Sequence, residues 1–379
     1  MKKISNLLMM ALLAIGMGLT SCDEMLDNAV DPGVMPDVEV TSIALNATSQ
    51  ALNVDDYFAL TATVEPADAD YTLTWSSSDE TIATVDENGI IHAVAEGNAI
   101  ITAQAGNMKA TCDILVQDVY AINQYKEASW DGSKVVFEKK LVAGVGEITN
   151  DFSGDIKNGW YSVTGNDVTI SANYTLDGDT YLILCDDAQL TINGQINCAA
   201  GSGYNLYIYG QGKGNGKLNI KCNGTAINGK VTTNDKILEI HGGDITVEST
   251  SASGSSLCGN GFNMYSGKLT ATTSTAPQAI QFYSSINVYG GEVIAENTAT
   301  AADHHGIAGN NVNEVITVYG GKMKVSGGSA PSKAIVGAKF KSGTENIKLY
   351  LSADNTSWTD GSVYSTAQAP ADSRYIKIE

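Results

Sequence analysis

The chain of 379 residues carries 42 acidic against 22 basic side chains, for a net charge of −20. That balance excludes nucleic acid as a partner, because phosphate recognition needs a basic footprint. Its six cysteines show no CxxC or Cys/His spacing, which excludes a zinc site and a disulfide framework and leaves buried thiols.

The first element is a leader. Lys2 and Lys3 precede an apolar run from Leu7 to Leu19, too short to span as a mature helix and shaped like a secretory signal. It ends in LTSC, Leu19 to Cys22, which resembles the lipobox of bacterial lipoproteins. The resemblance implies cleavage after residue 21, acylation of Cys22 and a membrane as partner. Several acyl chains on one residue hold a protein stably to a bilayer. Residues 22–39, beginning CDEMLDNAVDPG, read as an acidic tether. In one branch of Gram-negative bacteria, acids just after the lipidated Cys resemble a signal for display on the outer face, so the expected location is the outer membrane, facing the exterior.

Residues 40–117 read as short strands broken by turns. Ile43, Leu45, Leu60, Val64, Leu73 and Trp75 lie in alternating patterns, and Pro66 and Asn88-Gly89 mark turns. A small β-sandwich is expected. The stretches TATVEPADA from Thr61, TWSSSDETIATVDENGIIHAVAEGNAIITA from Thr74 and ATCDILV from Ala110 resemble the bacterial Ig-like domain of group 2. The resemblance implies a spacer or adhesive module. His92 is expected to be a surface histidine without a partner. Residues 118–165, with Trp130-Asp131-Gly132 and the weak strand pattern VVFEKKLV, read as a connection and a cap.

The stretch YIYGQGKGNGKLNI, Tyr207 to Ile220, invites a phosphate-loop reading and fails it. Five residues before Gly216 stands Gln211 rather than Gly, and Leu218 rather than Ser or Thr follows Lys217. Counted from Gly210, the third glycine of a dinucleotide fingerprint falls on Asn215. No nucleotide is expected. The glycines fit a turn in a repeat instead. LYIYG from Leu206, LEIHGGDITV from Leu238, FNMYSGKLTA from Phe262, INVYGGEVIA from Ile286 and ITVYGGKMKV from Ile316 share one pattern. Each has two alternating apolar residues, an aromatic ring, a Gly-containing bend and another alternating strand. Starts separated by 32, 24, 24 and 30 residues leave room for three short strands and three turns per unit. Over residues 166–379 this predicts a right-handed parallel β-helix whose coils are stable only when stacked. The region resembles β-helices of gut bacterial surface proteins and, more distantly, the pectate-lyase-like fold. The expected class is therefore all-β: an Ig-like sandwich followed by a solenoid.

The fold resemblance brings polysaccharide lyases and hydrolases into view. Such lyases use an Arg or Lys base with calcium held by Asp, and the single arginine, Arg374, lies past the repeats. Glycosidases need paired carboxylates. Asp186-Asp187 and His304-His305 lie about four coils apart, and at about 4.8 Å per coil they do not meet. Asp177-Gly178-Asp179 reads as a turn rather than a calcium loop. No catalytic residue, metal ligand or cofactor is expected. Parity offers the binding candidate. With Val288 and Val318 pointing inward and Thr317 at the surface, the residue after each apolar pair points outward. That column holds Tyr209, His241, Tyr265, Tyr289, Tyr319 and Tyr350. It reads either as a sugar-binding face or as a self-stacking ladder. The expected function is non-enzymatic adhesion or binding of a polysaccharide or host glycan. A polysaccharide-active enzyme and a purely structural surface component remain as alternatives.

Overall fold

In a computed structural model the described residues are 38–198, 204–229, 238–311, 313–329, 333–359, 361–366, 368 and 373–379. Cys22 and the leader lie outside them. The described residues contain no helix. Two units are present, one within the first 115 residues and one built mainly from residues 116–379.

The first unit is a sandwich of short antiparallel strands. Ser42–Leu45 pairs with Ala62–Glu65. Leu73–Ser77, Gly97–Ala105, Met108–Gln117 and Ser49–Asn53 form one sheet, and Tyr57–Ala59, Ile90–Ala93 and Ala83–Val85 another. Alternation decides the faces: Ala99, Ile101, Ala103 and Ala105 are buried while the residues between them are not. At the Asn88-Gly89 turn, Gly89 has φ +79°, and a Cβ there would lie 2.3 Å from the Leu60 carbonyl oxygen. His92 departs from expectation. Its ring stacks on Tyr57 at 4.5 Å, because the two are directly opposed across adjacent strands.

The second unit is a β-solenoid with three ladders of parallel strands. The first runs from Gly159–Val163 through Thr180–Leu184, Leu206–Gly210 and Leu238–Ile240 to Val315–Val318 and Lys339–Ser342. The second holds Val168–Ile170, Gln189–Asn193, Lys217–Cys222, Asp244–Ser249, Lys268–Thr273, Glu292–Asn297 and Lys322–Ser326, joined in parallel register. The third starts at Tyr174–Thr175 and Ile196–Asn197 and ends at His305–Gly309 and Ile335–Val336. Register stacks like on like. Leu206, Leu238, Phe262, Ile286, Ile316 and Phe340 form one fully buried column. Val288 and Val318 lie inward as expected, with no exposure. Thr317 does not behave as a surface residue. It is buried too, in the row between Asn287 and Lys341.

The bend after each first-ladder strand explains the glycine pairs. Gly267 has φ +82°, and a Cβ there would meet the Gly243 carbonyl oxygen at 2.4 Å; Gly291, at φ +74°, stands in the same relation to Gly267. Stacked bends approach too closely for any side chain. The last repeat breaks the pattern. Tyr375–Ile378 pairs antiparallel with both Lys322–Ser326 and Leu349–Ser352, so one reversed strand closes the second ladder and Leu349–Ser352 beyond it runs in the ladder's own direction. Residues 124–141 form an antiparallel hairpin, Gln124–Trp130 with Val135–Leu141, which bridges to the first ladder at Lys126 and Gly210. This hairpin lies along the flank of the coils rather than across an end, and parallel pairing has already begun at Gly146–Ile148.

Candidate functional site

The glycine-rich loop binds an anion, but the chain supplies it. The backbone N–H groups of Lys213 and Gly214 donate to the Asp186 carboxylate at 3.0 and 3.1 Å. Lys213 Nζ and Asn215 Nδ2 both donate to Asp187 at 2.7 Å. The Lys213 ammonium and the Asn215 amide hold the Asp187 carboxyl below its usual range. The carboxylates of the preceding coil thus occupy the loop donors that a phosphate would need, and they are no longer free for acid–base work. Asp177 and Asp179 are also committed, accepting from Asn158 Nδ2 at 2.8 Å and from the Asn205 backbone at 2.9 Å. Burial lowers the His305 pKa, and its ring contacts the Lys333 backbone. Among the described residues no cluster of three or more His, Cys, Asp or Glu side chains could hold a metal.

The aromatic column is real, and it is a ladder. Successive rings from Tyr209 through His241, Tyr265 and Tyr289 to Tyr319 stack at centroid distances of 4.6, 4.9, 4.9 and 4.7 Å, with planes within 17° of parallel. These distances are the strand spacing of the sheet beneath. The outward direction was read correctly, whereas exposure was not, because the flanking hairpin lies over the rings. Tyr125 meets Tyr209 at 4.4 Å, and Trp130 meets Tyr289 and Tyr319 at 5.6 and 5.7 Å. The Ala128 carbonyl accepts a 2.7 Å bond from His241 Nδ1, which fixes the proton on that nitrogen. Tyr209 is 4% exposed and His241 8%. Burial raises the pKa of the Tyr209, Tyr265 and Tyr289 phenols. Tyr350 is not in the column. It lies on Leu349–Ser352, at the end of the second ladder, under Lys377. A second stack that sequence reasoning missed runs from Trp160 through Tyr181 to Tyr207, at 4.4 and 4.7 Å. Its signal was available, since the three share one register row.

The accessible polar site lies at another corner. Between the second and third ladders, successive bends form a groove of about 550 Å³ lined by Asn173, Asn193, Gln195, Lys221, Asn223 and Thr250 with the backbone of Gly194 and Gly224. Four carboxamides from neighbouring coils converge here. The Asn173 side-chain oxygen accepts from the Gln195 backbone N–H at 2.8 Å, and its NH₂ has no partner among the described residues. Gln195 Nε2 donates to the Thr225 carbonyl at 2.7 Å, leaving its oxygen free. Asn193 and Asn223 are exposed, and neither side chain is hydrogen-bonded to another described residue. Lys221 is paired with Glu248 at 2.8 Å. Among the described residues no carboxylate lines the groove, so these side chains can bind through neutral hydrogen bonds but offer no group to protonate a leaving oxygen or activate water.

One family model matches within the first unit. Residues 39–114 match the bacterial Ig-like domain (group 2). This segment is a bacterial Ig-like domain of group 2. Over 51 residues the chain is 51% identical to lacto-N-biosidase of Bifidobacterium bifidum, covering 14% of this chain and 5% of that protein. It is 35% identical over 126 residues to an alpha-L-arabinofuranosidase of Bifidobacterium longum subsp. longum, covering 29% of this chain and 11% of that protein. A minor capsid protein of Enterobacteria phage T3 is 41% identical over 85 residues, 22% of this chain and 19% of that protein. The chain thus spans less than a fifth of the length of each of these relatives. Names so different, attached to matches of similar extent, give this chain no activity.

Proposed function

We propose that the chain is a non-enzymatic surface lipoprotein that binds neutral glycan through the amide groove. The observation that carries this reading is the groove itself: four carboxamides from three successive coils and, among the described residues, no carboxylate. A carboxamide offers a donor and an acceptor side by side, which suits the hydroxyl pairs of a sugar. The volume falls within the usual range for a ligand site. Two of the relatives are glycosidases by name, and an Ig-like module shared with surface proteins suits a display role. The ladder tyrosines contribute rigidity to the scaffold rather than contacts to the ligand.

The test is a glycan array probed with the full chain in detergent, and with the double variant Asn193→Ala, Asn223→Ala. Binding by the wild type that the double variant loses is the expected result. Both positions are exposed, so stability should change by less than about 0.5 kcal/mol. Equal binding by the two proteins would remove the groove from the reading. Release of free sugar from any bound polymer would return the enzymatic alternative.

The anchor has its own test. Cys22→Ala should release the protein from the membrane fraction, because acylation supplies the attachment. Retention after high-salt and carbonate washing would mean that Cys22 is not the anchor.

A further inference from the structure

On the outer face of the second ladder, charges are arranged by register. The first outward row reads Lys217, Asp244, Lys268, Glu292, Lys322, alternating in sign at every step. The last outward row reads Lys221, Glu248, Thr272, Glu296, again with no like charges adjacent. The middle row is uncharged through Asn219, Thr246, Thr270 and Ile294. This order breaks at the last coil. The reversed strand Tyr375–Ile378 sets Lys377 directly opposite Lys324. Like charges directly opposed across a strand pair are destabilising, and the two lysines are the only directly opposed like charges among the described residues of this ladder.

The pair lines a cavity of about 210 Å³ together with Lys322, Trp358, Glu292 and Glu379. The acids nearby are already engaged: Glu379 with Lys377 at 2.7 Å, Glu296 with Lys324 at 3.6 Å and Glu292 with Lys268 at 3.5 Å. Lys322 is exposed and forms no ion pair with another described residue. Three ammonium groups therefore surround a space walled by a half-buried indole, on a chain whose net charge is −20. The volume lies below that of a drug-sized site and suits a single ring. The indole offers an apolar face to the C–H face of such a ring.

We propose that this cavity binds one sugar unit carrying a carboxylate or a sulfate ester. The anionic group sits between Lys322, Lys324 and Lys377, and the ring lies against Trp358. An anion there turns the Lys324–Lys377 repulsion into two charge-assisted contacts. The site lies on a different part of the solenoid from the amide groove and shares none of its residues.

The probes are glucuronate, glucose 6-sulfate, glucose and inorganic sulfate, titrated against the full chain in detergent. One or both charged sugars should bind, glucose should not, and binding should weaken with added salt. Glucuronate alone would assign the carboxylate, and glucose 6-sulfate alone the sulfate ester. Lys324→Gln should weaken binding by about tenfold, the loss of one charge-assisted contact. Without ligand it should melt close to the wild type, since it removes the repulsion with Lys377 together with one partly exposed ion pair to Glu296, so lost binding with an unchanged melting point cannot be blamed on misfolding. Trp358→Ala should also weaken the charged sugars. Glucose binding as tightly as glucuronate would overturn the proposal, as would unchanged binding in both variants or no binding of either charged sugar. Inorganic sulfate binding as tightly as the sulfated sugar would remove the ring and also overturn it. The Asn193→Ala, Asn223→Ala double variant should keep its charged-sugar binding, so failure at one site is read apart from failure at the other.

Discussion

Val318→Asp should lose several kcal/mol of stability. Val318 has no exposure and stacks between Val288 and Ser342 in an inward column. A carboxylate there is desolvated without a partner, a penalty of several kcal/mol even after relaxation. Whole domains are stable by only about 5–15 kcal/mol, so this is a large fraction of the total. A solenoid coil depends on its neighbours, so the loss should spread along the stack from residue 318. The check pairs thermal melting with amide hydrogen exchange. Exchange should accelerate first in Val315–Val318 and Lys339–Ser342, and less in Thr180–Leu184. Thr270→Asp, on the outward row of the second ladder, should change stability by only about 0.5 kcal/mol. Equal losses for the two would mean that the register is wrong. Thr317 is unsuitable as the silent control because its own row covers it.

The contrast between positions 317 and 318 shows what periodicity can and cannot tell. Direction is a local property. Two alternating apolar residues and a glycine bend recur at each coil, and the strand pleat then decides which residues face inward. The buried columns from Leu206 to Phe340 and the outward aromatic column both followed from that alone. Exposure is not local. It depends on what another segment lays over the outward face, and the hairpin of residues 124–141 ends 68 residues before Tyr209 in the chain (209 − 141). Its strand Val135–Leu141 carries only a weak pattern, so nothing in the sequence tied it to the rings. Tyr350 failed for a different reason. It sits in the right phase after Leu349, but its strand joins the end of the second ladder rather than the first, and spacing does not report which ladder a strand joins. The glycine loop was legible as a turn, though not its use of Asp186 and Asp187, because the partner lies one coil earlier. The amide groove was masked by ordinary turn chemistry. Asn173 and Asn223 lie in the bends before Tyr174 and Ile227, and Asn193 closes the strand before the equivalent bend, where asparagine is common for backbone reasons alone.

The ladder provides the second large effect. Tyr209→Ala removes a ring packed between Tyr125, Trp160 and His241, at a position with 4% exposure. Truncating a buried aromatic costs about 3–5 kcal/mol, through lost burial and the cavity left behind. The stacked neighbours lose their partner as well, and aromatic pairs contribute about 0.5–1.5 kcal/mol beyond their area. The hairpin should loosen with it, since Tyr125 and the His241 contact to Ala128 hold it to the coils. Faster hydrogen exchange across Gln124–Trp130 would report this. Glycan binding at the distant amide groove should be unchanged at temperatures below the new melting point. The opposite result, intact stability with lost glycan binding, would restore the rings as a ligand face. Titration supplies an independent reading. Burial raises the pKa of the Tyr209, Tyr265 and Tyr289 phenols above the ordinary value of 10.0, so in the folded protein they stay neutral there. The unfolded chain ionises at its ordinary pKa and releases protons that the folded chain retains, so stability should hold below pH 10 and fall as pH rises beyond it. Absorbance at the phenolate band should therefore include a late stage, from Tyr209, Tyr265 and Tyr289, that appears only as the solenoid opens. A single stage with the fold intact would mean that the rings are open to solvent and that the hairpin does not cover them.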